Sequence, residues 1–219
     1  IGENVQSTGN TSSAEGNATR AYGQSSHAEG NGTIAEGLSS HAEGSSTTAS
    51  GVASHAEGLG TIASGQMAHA EGIGSQANGD YSHAEGSGSI ADGDWSHAEG
   101  QSTVALGNNS HAQGSLSQAN GAQSHAEGFD TLASGVNAHA EGESTIASGT
   151  HSHAQGILTI SSAYASHAEG NGSVASAPEA HAEGNGTKAT GIDSHSQNRY
   201  TTAAGQFSHA GGSGSTTVG

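Results

Sequence analysis

The chain has 219 residues, of which 37 are glycine, and it contains two Phe, one Trp, four Tyr and one Met. Its formal net charge is −17, and Arg20, Lys188 and Arg199 are its only basic residues besides histidine, so it lacks the basic surface that nucleic-acid phosphates require. The same charge disfavours binding to an anionic membrane surface. No apolar run approaches a membrane span, so we expect no membrane insertion, and the lack of cysteine excludes disulfides.

Histidine recurs every 14 residues within the pentad Ser-His-Ala-Glu-Gly, without insertion or deletion from His27 to His209. A fixed period of this kind predicts a repeat architecture in which each unit stacks on the next. We therefore expect one array over residues 1–219, with about fifteen units by that period. The sequence is most regular over residues 21–187 and less regular over 188–219.

The repeat can be written S-H-A-E-G-x-x-T-x-A-S-G-x-x, with serine as position 1. It predicts two short strands per unit, one over the Ser-His-Ala-Glu-Gly pentad and one like Thr61–Gly65. Strand alternation places positions 1, 3 and 5 on one face and positions 2 and 4 on the other, and likewise separates positions 8, 10 and 12 from 9 and 11. Positions 3, 8 and 10 hold small residues, which indicates a thin interior between two strands. The expected fold is an all-β, parallel solenoid with coils about 4.8 Å apart.

This repeat resembles the head repeat of trimeric autotransporter adhesins, the YadA-like head, whose unit is also 14 residues long and begins with a strand close to Ser-Val-Ala-Ile-Gly. Ser40, Ala42 and Gly44, and their equivalents in each unit, match that pattern, whereas His41 and Glu43 replace Val and Ile. Arrays of the Ser-His-Ala-Glu-Gly type are also similar to repeats of Gram-positive surface proteins and phage fibres.

The resemblance implies a left-handed parallel β-roll, a homotrimer with three chains side by side, and a role in surface attachment. It further implies that positions 2 and 4 point toward the threefold axis. On this basis we expect a structural or adhesive fibre segment, a rigid head or stalk on a cell surface or virion fibre. Its ligand would be a host surface, matrix component or polysaccharide.

If positions 2 and 4 face a trimer axis, each layer presents histidines and glutamates to a narrow interior, where buried carboxylates need partners. Histidine is the only possible cation between residues 21 and 187, and Gln113, Gln155 and Gln197 keep the hydrogen-bonding shape of glutamate without its charge. We therefore predict a His–Glu hydrogen-bond ladder between chains. Its members are His27, Glu29, His41, Glu43, His55, Glu57, His69, Glu71, His83, Glu85, His97, Glu99, His111, His125, Glu127, His139, Glu141, His153, His167, Glu169, His181 and Glu183.

Several alternatives stay open at this point. The His and Glu rows could face solvent, with the position-9 residues Ile34, Ile62, Ile90, Val104, Leu132 and Ile146 forming the seam between chains. Rings of three histidines could bind Zn²⁺ or Ni²⁺, giving a metal-binding fibre, although we assign no metal ligands. A monomeric solenoid that binds ice or a repetitive polymer is a further possibility. We expect no enzyme activity and no cofactor, because residues repeated in every unit do not form one differentiated catalytic pocket.

Position 14 carries Met67, Tyr81 and Trp95 in consecutive units, beside Asp80 and Asp94. We expect these three side chains to stack as an exposed apolar row, which is a possible partner surface.

The histidines also give a conditional prediction about pH. Glutamate partners would raise the folded-state pKa of histidine above about 6.5, whereas burial in the neutral form would lower it and make acid destabilising.

Overall fold

The computed structural model describes residues 3–218 and divides the chain into two compact units, Ile1–Asn109 and Ser110–Gly219. Each unit is a parallel β-solenoid with 14-residue coils, and every coil contributes one longer and one shorter strand. Among residues 3–218 there is no helix, and hence none that is long and apolar enough to cross a membrane.

In the first unit the longer strands pair in parallel with the next longer strand, in the register His41↔His55 and Ala42↔Ala56, and the shorter strands do the same. The longer strands are β2 (Ser13–Asn17), β4 (His27–Asn31), β6 (His41–Ser45), β8 (His55–Leu59), β10 (His69–Ala70), β12 (His83–Ser87) and β14 (His97–Gln101). The shorter strands are β1 (Gln6–Ser7), β3 (Arg20–Ala21), β5 (Ile34–Ala35), β7 (Thr48–Ala49), β9 (Ile62–Ala63), β11 (Gln76–Ala77), β13 (Ile90–Ala91) and β15 (Val104–Ala105).

The second unit repeats this arrangement, for example with His125↔His139 and Leu132↔Ile146. Its longer strands are β16 (His111–Ser115), β18 (His125–Phe129), β20 (His139–Glu143), β22 (His153–Ile157), β24 (His167–Asn171), β26 (His181–Asn185), β28 (His195–Arg199) and β30 (His209–Ala210). Its shorter strands are β17 (Gln118–Ala119), β19 (Leu132–Ala133), β21 (Ile146–Ala147), β23 (Ile160–Ser161), β25 (Val174–Ala175), β27 (Lys188–Ala189), β29 (Thr202–Ala203) and β31 (Thr216–Thr217).

The interior of each coil is built from small side chains, as the sequence predicts. Ala42 and Ala49, at positions 3 and 10, are fully buried, and so is Thr47 at position 8. Two of the buried hydroxyls bond to nearby backbone carbonyls: Ser40 Oγ donates to Gly37 O at 2.8 Å, and Thr47 Oγ1 donates to Glu43 O at 3.1 Å. Serine and threonine therefore fill the thin core without leaving a hydroxyl unsatisfied at these sites.

Each coil turns at two residues in the left-handed backbone region, positions 7 and 14. Ser46 has φ 58° and Ala53 has φ 54°. Their backbone N–H groups donate to the preceding coil, to Asn31 O at 2.8 Å and Leu38 O at 2.7 Å. These coil-to-coil bonds offset the cost of about 1–2 kcal/mol that a non-glycine residue incurs in this region.

The strand ends differ from the sequence prediction by one or more residues. The longer strand begins at His55 because the Ser54 N–H donates to Gly51 O at 3.3 Å and closes the turn. The shorter strand was predicted over Thr61–Gly65 but covers only Ile62–Ala63, since the N–H groups of both Ser64 and Gly65 converge on Ala77 O.

The position-5 glycine also departs from the predicted inward face. Gly44 is exposed and has φ 105°, which rotates the backbone out of simple strand alternation. A Cβ built on Gly44 would lie 2.2 Å from Gly58 O in the next coil, so only glycine fits this close approach.

Candidate functional site

One outer face of each unit carries the histidine row, because position 2 of the longer strand points away from the buried position 3. Parallel pairing without offset places the imidazoles directly above one another: the rings of His55 and His69 have centroids 4.8 Å apart and planes 4° from parallel. In the second unit the His139 and His153 rings are also 4.8 Å apart. The spacing of the rings is therefore the spacing of the coils.

The glutamates of position 4 form a second row beside the imidazoles. His55 Nε2 lies 3.4 Å from Glu43 Oε1 and 4.0 Å from Glu57 Oε2, so one imidazole sits between the carboxylates of two coils. In the second unit His139 Nε2 lies 3.7 Å from Glu141 Oε2. These distances exceed those of ordinary N–H···O hydrogen bonds, which are about 2.7–3.2 Å.

Many imidazole Nε2 atoms are buried without a hydrogen-bond partner among residues 3–218, although about a third of the side chain, 35% for His55, remains exposed. The atoms with this property on the row are those of His27, His41, His55, His69, His83, His125, His139, His153, His167, His181 and His195. A buried polar atom without a partner costs about 1–3 kcal/mol. Repeated in successive coils, this cost marks the face as incomplete within a single chain.

Burial lowers the pKa of several histidines of the row. Desolvation, followed by the neighbouring His55, lowers the pKa of His41, while Glu43 and Glu29 act in the opposite direction. Desolvation together with His167 and His139 lowers the pKa of His153 to about 4. Of the two pH alternatives above, the structure therefore supports neutral, buried imidazoles.

Two neighbouring carboxylates of the glutamate row have pKa values shifted in opposite directions. Hydrogen bonding to the side chains of Glu71 and Glu43 raises the pKa of Glu57 to about 7, whereas hydrogen bonding to Glu57 lowers the pKa of Glu43. The glutamate row is visible in the sequence, whereas the opposite pKa shifts of Glu43 and Glu57 depend on the distance between carboxylates in successive coils.

The structure places the residues of the predicted ladder at positions 2 and 4 of the longer strands, on the outer face of the coil, except that Glu71 follows the end of β10 at Ala70. Within each unit it brings every imidazole next to those of adjacent coils. His151, the histidine outside this row, lies in a turn with φ 59°, as expected for a corner residue. The ladder between chains stays a prediction.

The corner row of Met67, Tyr81 and Trp95 is exposed, with 51%, 44% and 58% of each residue accessible. The rings of Tyr81 and Trp95 are stacked, with centroids 5.4 Å apart and planes 2° from parallel. Beside them Asp80 Oδ1 accepts a hydrogen bond from the Gln66 N–H at 2.8 Å, and Asp94 Oδ1 accepts one from the Asp80 N–H at 3.0 Å. Each carboxylate thus joins two coils at the edge of the aromatic row.

The opposite outer face carries position 9 of the shorter strands. Leu132, Ile146, Ile160 and Val174 form a half-buried aliphatic run in the second unit. Elsewhere polar residues such as Lys188 interrupt this face, so it is less uniform than the histidine face.

Small buried residues, parallel coils and a 14-residue period together define a structural β-solenoid of head-repeat type. The family model of the YadA head domain repeat matches residues 42–66, 84–110 and 126–152. The chain therefore contains YadA-like head repeats, which occur in adhesin-type structural proteins. YadA head domains form trimers in trimeric autotransporter adhesins and are exposed at the cell surface. No curated protein matches the chain.

Proposed function

We propose that this chain is a rigid, homotrimeric head or stalk segment of a surface adhesin or fibre, with no enzymatic role. The observation that carries the proposal is the His–Glu face of each unit, where eleven buried Nε2 atoms lack hydrogen-bond partners among residues 3–218. Two further copies of the chain would supply those partners. The matched YadA head repeats support a trimer and an extracellular position, on a cell or virion surface.

The composition of the two outer faces supports the choice of interface. Position 2 is histidine from His27 to His209, whereas position 9 accepts Ile62, Gln76 and Lys188. A buried polar network requires complete satisfaction of each member and tolerates little substitution, whereas a solvated face does not. Three His–Glu faces meeting at an axis would form the predicted ladder.

Sedimentation equilibrium of the full chain tests this assembly. We expect a mass of about 64 kDa, three times the 21.2 kDa of one chain. His41→Asp with His69→Asp adds carboxylates to the His–Glu face and is expected to dissociate the trimer, because like charges would be desolvated together. Ile62→Asp, on the position-9 face, is the matched control and is expected to leave the mass unchanged.

Far-UV circular dichroism separates dissociation from unfolding in these variants. A folded wild-type species of 21.2 kDa would contradict the proposal and make the His and Glu rows the outer face of a free-standing solenoid. If only Ile62→Asp dissociated the trimer, the interface would lie on the position-9 face instead.

The adhesive contact is proposed to lie at Met67, Tyr81 and Trp95, with a non-acidic polysaccharide as the ligand. Exposed aromatic rings provide apolar contact area, and the Asp80 and Asp94 carboxylates can accept hydrogen bonds from sugar hydroxyls. The net charge of −17 disfavours acidic glycans.

A glycan array tests this contact with Tyr81→Ser combined with Trp95→Ser. We expect loss of binding without loss of the solenoid. Tyr164→Ser with Phe207→Ser removes two exposed aromatic residues elsewhere, 54% and 72% accessible, and should leave binding unchanged. Equal binding by both double variants would exclude the corner row as the contact.

A further inference from the structure

We propose that the first unit binds a divalent transition metal ion of the Zn²⁺ type at His55, between the carboxylates of Glu43 and Glu57. All three ligands come from one chain, so the site does not require the trimer. It also differs from a ring of three histidines, because one imidazole and two carboxylates supply the donors.

The distances within this cluster suit a shared cation better than a direct hydrogen bond. His55 Nε2 lies 3.4 Å from Glu43 Oε1 and 4.0 Å from Glu57 Oε2. A tetrahedral zinc ion with bonds of about 2.0–2.2 Å has ligand atoms about 3.4 Å from one another. The distance between His55 Nε2 and Glu43 Oε1 therefore already has this length. Glu57 Oε2 would need to move toward His55 Nε2 by only about half an ångström to reach it.

The residues of the proposed site also take part in neighbouring clusters of histidine and glutamate. The ligand atoms of His41, Glu43 and His55 all lie within 4.8 Å of one another, and so do those of Glu57, His69 and Glu71. The His55 Nε2 atom is buried and has no hydrogen-bond partner among residues 3–218. An imidazole nitrogen beside two carboxylates is a donor set that zinc accepts in proteins.

The charge of the face favours a cation at this position. No lysine or arginine occurs between Ala21 and Thr187, so the glutamate row has no basic partner in the first unit beyond Arg20. A bound dication would offset the two carboxylates that contact it. Ions in adjacent coils would lie about one coil spacing of 4.8 Å apart and repel each other, so we expect occupancy of alternate coils at most.

Zinc binding by the full chain tests the site directly. The protein is stripped with EDTA, dialysed against ZnCl₂, and its zinc content per chain is measured by mass spectrometry, with isothermal titration calorimetry for affinity. Glu43→Gln combined with Glu57→Gln removes both carboxylates, and His55→Gln removes the imidazole. Each is expected to lower the zinc content by at least one ion per chain.

The chain offers matched controls for these variants. Glutamine occurs naturally at position 4 in Gln113, Gln155 and Gln197, so the fold accommodates it there. Glu36→Gln removes an exposed carboxylate of the same unit at position 11, off the His–Glu face, and is expected to keep the wild-type zinc content. Circular dichroism of each variant verifies that the solenoid is intact.

Cobalt substitution reports the geometry, since a four-coordinate Co²⁺ site gives intense visible absorption that His55→Gln should weaken. Lack of zinc uptake by the wild type, or equal uptake by wild type and both glutamine variants, would overturn the proposal. Sedimentation of the same samples keeps the two proposals separate, because a monomer that binds zinc at His55 would contradict the trimer and retain the metal site.

Discussion

The two units carry the same histidine row beside different position-4 residues. From Glu15 to Glu99 the first unit has glutamate in every coil, whereas the second unit replaces it by Gln113, Gln155 and Gln197. The rings nevertheless stack at the same 4.8 Å in both. The stack of imidazoles therefore depends on the strand register and not on the neighbouring charge.

The difference appears in the ionisation of the histidines. Glu43 and Glu29 oppose the desolvation that lowers the pKa of His41, whereas only desolvation and other histidines act on His153, whose pKa falls to about 4. Glu43 and Glu29 thus moderate for His41 an effect that His153, beside Gln155, shows in full.

The largest effect is expected from Gly58→Ala in the first unit. The backbone has φ 105°, and a Cβ would lie 2.2 Å from Gly72 O, so strain and overpacking combine. Each contributes about 1–3 kcal/mol, which predicts a loss of about 4 kcal/mol in the free energy of unfolding, measured by denaturant titration.

Gly60→Ala is the matched control for this change. Gly60 has φ 67° with nothing within 4 Å of a built Cβ, and Ala18 already occupies the equivalent position with φ 55°. We expect a loss of only about 1 kcal/mol. Equal losses for Gly58→Ala and Gly60→Ala would mean that the close approach of coils contributes nothing.

Acid is expected to destabilise the second unit. A histidine whose folded pKa is lowered contributes stability that is complete above the unfolded value of about 6.5 and is lost as pH falls toward the folded value, which is about 4 for His153. The contribution of Glu57 to stability depends on pH in the opposite direction. Because its pKa is raised from 4.5 to about 7 in the folded state, the stability that it contributes is lost as pH rises through this range.

The melting temperature of the full chain should therefore fall by several degrees between pH 7.5 and pH 5. His125→Gln with His153→Gln should reduce this fall, and His151→Gln, in a corner outside the row, should not. A melting temperature independent of pH would indicate that the imidazoles are fully solvated.

A smaller gain is expected from Asn198→Gly in the second unit. Asn198 takes the position-5 glycine site with φ 82°, where a side chain is strained. We expect a rise of about 0.5–1 kcal/mol in the free energy of unfolding, since relief of strain exceeds the added flexibility of the unfolded chain. A decrease would indicate that the asparagine side chain makes a stabilising contact.

The smallest change is expected in the pKa of one imidazole. Gln155→Glu places a carboxylate beside His153 and should raise its pKa, as measured by NMR titration, because an opposite charge favours the protonated ring. Glu127→Gln should lower the pKa of His125 further, because Glu127 opposes the desolvation that lowers it. Unchanged values in both variants would leave desolvation and the neighbouring histidines as the causes of the lowered pKa values.

The repeat period predicted most of this fold. The strict 14-residue spacing of histidine predicts the coil, its parallel pairing and the register His55↔His69. Alanine at positions 3 and 10 predicts the thin interior. These features follow from the periodicity and side-chain size, which are visible without coordinates.

The turns and the site chemistry were less accessible from the sequence. Met67, Tyr81 and Trp95 have φ of 54°, 59° and 54°, although nothing in their residue types indicates a left-handed backbone. The exposure of Gly44 depends on a close approach between coils. The burial of the Nε2 atoms and the raised pKa of Glu57 depend on distances of a few ångströms, which no residue pattern specifies.

The constant register makes the coil a unit of length. Deleting residues 55–68 would join Ser54 to His69 and leave every later residue at its own position in the repeat, shortening the first unit by one 4.8 Å step. Deleting one residue fewer would shift every later position by one and interchange inward and outward residues along the strands. Gain or loss of whole 14-residue blocks can therefore adjust the reach of such a segment in uniform increments while its faces stay aligned.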